Sequence, residues 1–191
     1  MSAPAQAPVE PPEEVRRRRA LYHLASPVAV LTVAHRGRLH GTTVSTATLV
    51  SHRPLILGAS LRADSVLAEL AVAEGRFSVN VLDGDQGGLA RWFADSGRPE
   101  GSRQFDGLQW RHDPYTTAPL LDGALAQYTC RTAGRTPVGD HEVLLGRVVR
   151  ASAEDFGVPL LSYAGGLYVG ELFPVTDHSA TRPSEKGKQQ S

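Results

Sequence analysis

The segment 41–65, GTTVSTATLVSHRPLILGASLRADS, constrains the fold of this chain more than any other part of the sequence. Its β-branched and hydroxyl-bearing residues predict extended strand, followed by Pro54 and an apolar run over 55–59. A polar turn then leads to Ser65, which can cap a following helix. Hydroxyls and main-chain amides at a strand end, with an arginine and a helix N-terminus nearby, can receive a polar ring edge and a phosphate. This pattern indicates a nucleotide-like cofactor.

Strand-like runs recur along the rest of the chain and outnumber the helical ones. Hairpin turns are predicted at Arg36-Gly37 and at Gly165-Gly166. Short helices are predicted over 13–23, 65–74 and 85–94, whereas the Gly-, Pro- and Asp-rich segment 95–123 is predicted to be a long loop. Strands are predicted over 27–34, 39–49, 55–61, 77–82, 124–132, 141–152 and 160–172. Many strands with few short helices predict a mainly β fold whose sheet closes into an antiparallel barrel.

A length of 191 residues suits a single domain. Residues 1–12 are rich in Ala and Pro and residues 176–191 are polar and charged, so we expect disordered tails on either side of a domain spanning 13–175. The first residues lack the basic start and apolar core of a secretion signal, and no apolar run approaches the roughly 18–20 residues of a membrane span. We therefore expect a soluble, cytoplasmic protein with no membrane partner.

Several classes of site are excluded or disfavoured by composition. The 20 basic and 20 acidic residues cancel, which disfavours a broad nucleic-acid interface. A single cysteine, Cys130, excludes an intrachain disulfide, and its strand-like setting predicts a buried, inert thiol. The seven histidines lack metal-ligand spacing, so we expect no metal. Dinucleotide-binding, P-loop and nucleophile-elbow motifs are missing as well. If the protein is an enzyme, we therefore expect a cofactor to carry out the reaction chemistry.

Seven segments, in order over roughly 21–172, resemble the flavin reductase-like family. They are SPVAVLTV, GTTVSTATLVSHRPLIL, FSVNVLDGDQGGLARWFA, SRQFDGLQW, APLLDGALAQYTC, the GDH at 139–141, and PLLSYAGGLYVGEL. The resemblance implies the FMN-binding split barrel, an antiparallel Greek-key barrel with short helices. It also implies a homodimer with FMN (FAD being possible) at the subunit boundary, and hydride transfer from NADH or NADPH to the flavin.

The resemblance further implies where the ligands bind. The residues expected at the flavin ring edge and ribityl chain are Thr43, Val44, Ser45 and Thr46. Those expected near the ribityl phosphate are Ser60, Leu61, Arg62 and, at the start of the next helix, Ser65. His141 matches the GDH histidine and is expected on the nicotinamide side. The remaining residues expected to line this cleft are Phe105, Asp106 and Tyr168.

Each of these residues also has a purely structural interpretation. Threonines favour strands by propensity alone, Arg62 could be a solvated turn charge, and His141 could be a partly exposed strand residue. The chain also departs from the family at four places: Pro27 stands for a usual Gly, Ser45-Thr46 for Asn-Ser, Ala47 for Phe, and Leu55 for a second Pro. The smaller side chain at 47 would widen the pocket or loosen flavin packing.

The function that these observations favour is an NAD(P)H:flavin oxidoreductase that supplies reduced flavin, by diffusion, to a partner monooxygenase. One alternative is a flavin- or haem-binding protein on the same barrel that has no reductase turnover. Another is an FMN enzyme acting on one small metabolite, with segment 95–123 as its specificity element. The sequence leaves the choice between NADH and NADPH, and between FMN and FAD, open.

Overall fold

Strands outnumber helices throughout the part of the chain that the computed structural model describes, residues 13–21, 23–170 and 172. The helices are α1 (Glu13–Leu21), α2 (Val66–Glu74) and α3 (Gly87–Ala94), with 3-10 turns at Gly84–Gln86 and Gly101–Phe105. The strands are β1 (Ser26–Pro27), β2 (Ala29–His35), β3 (Arg38–Val44), β4 (Thr48–His52), β5 (Leu55–Arg62), β6 (Arg76–Val81), β7 (Trp110–His112), β8 (Pro119–Leu121), β9 (Ala126–Val138), β10 (His141–Ala153), β11 (Leu161–Tyr163) and β12 (Gly166–Tyr168). The mainly β prediction is confirmed, whereas the predicted tails 1–12 and 176–191 lie outside the described residues.

Seven strands form an antiparallel sheet in the order β3-β2-β6-β9-β10-β5-β4. Consecutive strands β3 and β4 therefore lie at opposite edges of the sheet, and the three residues 45–47, here called the connector, span from one edge to the other. The single strand predicted over 39–49 is wrong for this reason: β3 pairs with β2, whereas β4 pairs with β5. The connector is thus the place where the sheet closes on itself.

Local sequence signals account for the turns and for α2. The Arg36-Gly37 turn has φ values of 49° and 77°, which suit a two-residue hairpin. The Ser65 hydroxyl caps α2 by accepting from Ala68 N, and Gly75 ends the helix in the left-handed region, so both predicted boundaries are confirmed. The second predicted hairpin is also present, with its turn at Ala164 and Gly165 and β12 beginning at Gly166.

Segment 95–123 is more ordered than the loop predicted for it, since it contains a 3-10 turn and the β7–β8 hairpin. The carboxylate of Asp113, a residue only 2% exposed, holds this segment in place. It accepts hydrogen bonds from Tyr115 N, Thr116 N, the Thr116 hydroxyl and the Thr129 hydroxyl. Asn80 adds a further tie, because its Oδ1 accepts from Leu121 N at 2.9 Å. Hydrogen bonds from buried side chains, rather than strand pairing with the seven-stranded sheet, thus hold this segment against the domain.

Two apolar clusters lie on opposite faces of β2, to which alternate residues contribute. Leu31 belongs to the cluster formed by α2 and six strands of the large sheet, which fills the space that the sheet encloses. Val30 belongs to the other cluster, beneath α3. Cys130 is fully buried, as predicted, and burial raises the pKa of its thiol to about 12, which disfavours the reactive thiolate. Among the described residues, no helix has the length and apolar character needed to cross a membrane.

Candidate functional site

A cavity of about 740 Å³ lies beside the connector, where the two edges of the large sheet approach each other. This volume falls in the range typical of small-molecule sites, about 300–1,000 Å³. Four described parts of the chain form its wall: the stretch from the end of α1 to β1, the connector with the strand end before it, α3 and the β11–β12 hairpin. The lining residues are Leu21, Leu24, Ser26, Thr43, Ser45, Thr46, Ala90, Arg91, Ala94, Ser162, Tyr163, Ala164, Gly165, Gly166 and Leu167.

Three of the predicted hydroxyl residues meet in this cavity, but only one hydroxyl is free to donate. Thr43 Oγ1 donates to Ala90 O at 2.8 Å and so fastens α3 to β3. Thr46 Oγ1 donates to Ser60 O at 2.8 Å and accepts from Ser60 N at 3.1 Å, which fastens the connector to β5. Ser45 has no side-chain hydrogen bond to any other described residue. Of these three hydroxyls, that of Ser45 is therefore the one available to a ligand.

Three other predicted residues have side chains enclosed in the core. Val44 and Leu61 are each 6% exposed, so only their main-chain atoms could reach a ligand. Phe105 is 2% exposed, and its ring centroid lies 5.2 Å from that of Phe93 and 5.7 Å from that of Trp110. The structure thus places Phe105 in the core beneath α3 rather than in the cavity wall. A ring enclosed in this way has no free face to offer a cofactor.

Arg62, Ser65 and His141 come together at a neighbouring strand end, outside the cavity lining. His141 lies directly opposite Arg62 in the β10–β5 pair, and Ala63 N donates to Asp140 O at 3.2 Å. The cavity and this strand end are joined through Ser60, which Thr46 contacts and which precedes Arg62 by two residues on β5. The structure therefore brings the predicted residues together as two adjacent groups.

Charged side chains at this strand end are paired and exposed. Arg62 Nε donates to Asp64 Oδ1 at 3.2 Å, and this hydrogen bond lowers the pKa of the Asp64 carboxyl. His141 Nδ1 lies 2.8 Å from Asp140 Oδ1, and this contact lowers the pKa of the Asp140 carboxyl. Because a carboxylate can only accept here, it fixes the proton on Nδ1 of His141. The Nε2 atom of His141 is left to face a ligand.

Tyr168 and Asp106 flank the site without lining the cavity. The Tyr168 ring lies 5.9 Å from the ring of Tyr163, a lining residue, and Tyr168 is 48% exposed. Asp106 follows the 3-10 turn at Gly101–Phe105 and is exposed. Tyr168 thus belongs to the rim of the cavity, next to its wall.

Sequence reasoning missed the end of α1 and Arg91 of α3. Leu21 and Leu24 line the cavity, but nothing in their sequence spacing indicates one. Arg91 lies in the segment FSVNVLDGDQGGLARWFA, between two small residues that also line the wall, Ala90 and Ala94. Its place beside the connector follows from the Thr43–Ala90 hydrogen bond, a contact between residues 47 positions apart.

The lining residues suit a flavin by their chemistry. Hydroxyls and main-chain amides can bind the polar edge of the ring system, and Leu21, Leu24 and Leu167 offer apolar surface to its flat faces. Among the described residues, the lining contains a guanidinium but no carboxylate, which favours a ligand that carries negative charge. Volume and donor set together fit a flavin nucleotide.

Comparisons with known proteins agree with this chemistry. The sequence model of the flavin reductase like domain matches residues 21–171. The chain is similar to an NADPH-flavin oxidoreductase of Streptomyces viridifaciens, with 38% identity over 161 residues that cover 84% of this chain and 83% of that protein. It is also similar to the reductase component of a 4-nitrophenol 4-monooxygenase/4-nitrocatechol 2-monooxygenase from Rhodococcus opacus, with 31% identity, covering 82% of this chain and 81% of that one.

A solved structure supports the same relationship. The structure of BorF, the flavin reductase component of a bacterial two-component tryptophan halogenase, superposes with a TM-score of 0.77 at 29% identity. The match covers 82% of this chain and 98% of that chain. The architecture described above is therefore the split barrel of flavin reductases, as the sequence predicted.

Proposed function

The chain belongs to the flavin reductase-like family, and from that premise we propose that the cavity beside the connector is its flavin site. The protein is an NAD(P)H:flavin oxidoreductase. One observation carries this conclusion for the chain itself: the connector places a free hydroxyl, Ser45, in a cavity of about 740 Å³ whose described lining residues include a cation and no carboxylate. A flavin nucleotide is the cofactor class that matches both this cavity and the family.

A bound flavin supplies the hydride acceptor, and reduced nicotinamide supplies the hydride. In our proposal the Ser45 hydroxyl and the connector amides bind the polar edge of the flavin ring, while Thr46 holds the connector against Ser60. Arg62 and the N-terminus of α2 bind the ribityl phosphate, with the phosphate replacing the exposed Asp64 as the acceptor for the guanidinium and the helix amides adding further donors. His141 faces the nicotinamide through Nε2, which its contact with Asp140 leaves free. The protein thus orients the two rings and needs no acid or base of its own for the transfer.

The reduced flavin serves a partner monooxygenase. In support, the relative from Rhodococcus opacus is described as the reductase component of a monooxygenase. In our proposal it travels by diffusion, and the flavin is accordingly held with modest affinity. We further propose a homodimer, because β4 is an edge strand whose Leu49 and Val50 are 44% and 54% exposed. An edge strand with exposed apolar residues invites contact with another chain. The cytoplasmic location remains a prediction from the sequence.

The two alternative functions find less support. The relatives are described as NADPH- or NADH-dependent flavin reductases or as reductase components, which favours turnover over simple flavin or haem binding. The segment 95–123, proposed above as a specificity element for a metabolite, contributes no residue to the cavity lining. We therefore retain the reductase as the function.

An oxidation assay tests this function. Purified protein is mixed with FMN or FAD, and the consumption of NADH or NADPH is followed by absorbance. We expect consumption that depends on both protein and flavin. The proposal would be overturned if, with both NADH and NADPH, the protein raised the oxidation rate no further than free flavin does without protein.

The Ser45→Ala variant tests the location of the site. Loss of one hydrogen bond of about 0.5–1.5 kcal/mol should raise the FMN Kd about 2- to 12-fold. Ser152→Ala is the matched control, since Ser152 is exposed on β10 and lies outside the cavity lining. Equal FMN affinities for the two variants would show that Ser45 does not bind the flavin. The proposed reductase function would be unaffected by that result.

A further inference from the structure

Arg91 is a cation in the cavity wall that has no partner within the described part of the chain. It is exposed, and no hydrogen bond or ion pair joins its guanidinium to another described residue. Carboxylates hold other arginines of the described part of the chain, among them Arg38, Arg76 and Arg111. The other lining residues that the structure describes offer Arg91 hydroxyls, apolar side chains and main-chain atoms, and no carboxylate. Its charge is therefore available to a ligand.

The fold keeps Arg91 beside the connector. Phe93, in the last turn of α3, is fully buried, and Ala90 is 1% exposed, so this helix cannot rotate without disrupting the core. The Thr43 hydroxyl binds Ala90 O at 2.8 Å, directly before Arg91 in sequence. Ala90 and Ala94 are small, which leaves room at the wall for a ligand group next to the guanidinium.

We propose that Arg91 binds a phosphate group of a nucleotide ligand in this cavity. A guanidinium offers a planar pair of N–H donors that matches two phosphate oxygens, and this geometry distinguishes it from a simple point charge. The inference rests on the proposed function, which supplies two sources of that group: the flavin phosphate and the phosphates of the nicotinamide dinucleotide. With the flavin phosphate as the source, Arg91 would bind it in place of Arg62; with the dinucleotide as the source, Arg62 would keep the flavin phosphate. The chemistry at Arg91 is the same in both cases.

A purely structural role makes a different prediction. Arg91 lies in the last turn of α3, where a cation interacts favourably with the helix dipole. In that role its removal would lower the melting temperature and would affect ligands with and without phosphate equally. A phosphate-binding role instead gives losses that follow the phosphate.

The experiment compares Arg91→Ala, Arg91→Lys and the control Arg103→Ala, which removes an exposed arginine outside the cavity lining. Flavin affinity is measured by fluorescence titration with FMN and with riboflavin, which lacks the phosphate. Michaelis constants are measured with NADPH, with NADH and with a phosphate-free dihydronicotinamide. Thermal melting of each variant reports stability.

We expect Arg91→Ala to weaken the binding of one phosphate-bearing ligand about tenfold, which corresponds to about 1.4 kcal/mol. The phosphate-free counterpart should be unaffected, Arg91→Lys should recover part of the loss, and Arg103→Ala should match the wild type. A loss for FMN identifies the flavin phosphate as the source, whereas a loss for NADPH or NADH identifies the dinucleotide. The loss should shrink as NaCl is raised from about 50 mM to about 500 mM, because salt screens exposed charge.

The role of Arg91 would be overturned if Arg91→Ala left every affinity unchanged, or weakened the phosphate-bearing and phosphate-free ligands equally. The proposed function would still stand in that case, since the wild-type protein binds and reduces flavin. A wild-type protein that neither binds FMN nor oxidises NADH or NADPH would instead overturn the function itself. The two failures are therefore distinguishable in one set of measurements.

Discussion

Replacing Thr46 by Val tests whether the flavin needs the connector clamped to β5. Strand β4 covers β5 only from Leu55 to Gly58, and beyond that point no described strand pairs with this edge of β5. The Thr46 hydroxyl takes the place of a strand there, since it binds both O and N of Ser60, at 2.8 and 3.1 Å. Valine has almost the same shape but removes both hydrogen bonds.

The magnitude follows from the two bonds. Each contributes about 0.5–1.5 kcal/mol, and because Thr46 is exposed we take the lower part of that range, about 1–2 kcal/mol in total. If only the clamped connector binds flavin, the FMN Kd rises by up to about 5- to 30-fold. The melting temperature should fall by about 2–8 °C. The turnover number at saturating FMN should change little, because the Thr46 hydroxyl is engaged with Ser60.

Fluorescence titration with FMN measures the effect, together with thermal melting and the steady-state rate. Thr48→Val is the matched control: Thr48 is exposed on β4, and its hydroxyl makes no hydrogen bond to another described residue. An FMN Kd for Thr46→Val equal to that of the wild type, or equal to that of Thr48→Val, would refute the clamp.

Two further predictions concern other parts of the molecule. His141→Ala should raise the KM for NADH or NADPH about tenfold and the flavin KM much less, because Nε2 of His141 faces the nicotinamide in our proposal. Steady-state assays measure both constants, and equal increases in the two would contradict that role. Burial alone would raise the pKa of Asp113, but hydrogen bonds from Thr116, Thr129 and Tyr115 N outweigh it and lower the pKa. Asp113→Asn should therefore cost about 1–2 kcal/mol at pH 7, and the deficit in urea denaturation should shrink as the pH falls below about 4, through the lowered pKa. A deficit that stays constant down to acidic pH would contradict this assignment.

Features set by neighbouring residues could be predicted from the sequence. The α2 helix is an example, because its start at Ser65 and its end at Gly75 depend on groups within one turn. The hydroxyl-rich segment was likewise identified, and the structure brings Thr43, Ser45 and Thr46 into one cavity.

Features set by distant pairing could not be predicted. The break after Val44 has no strong local signal; it exists because β3 and β4 pair with different strands at opposite edges of the sheet. The order within 95–123 depends on Asp113, whose partner Thr129 lies 16 residues further along the chain. Arg91 reaches the site because Thr43 binds α3, a contact that no pattern within the helix reveals.

A crystal structure of the protein with FMN tests the central claim most directly. We expect the flavin ring beside the connector, with its polar edge within hydrogen-bonding distance of Ser45 and of the amides of residues 45–47. A flavin bound elsewhere, with the space between α1, α3 and the β11–β12 hairpin left to solvent, would contradict it.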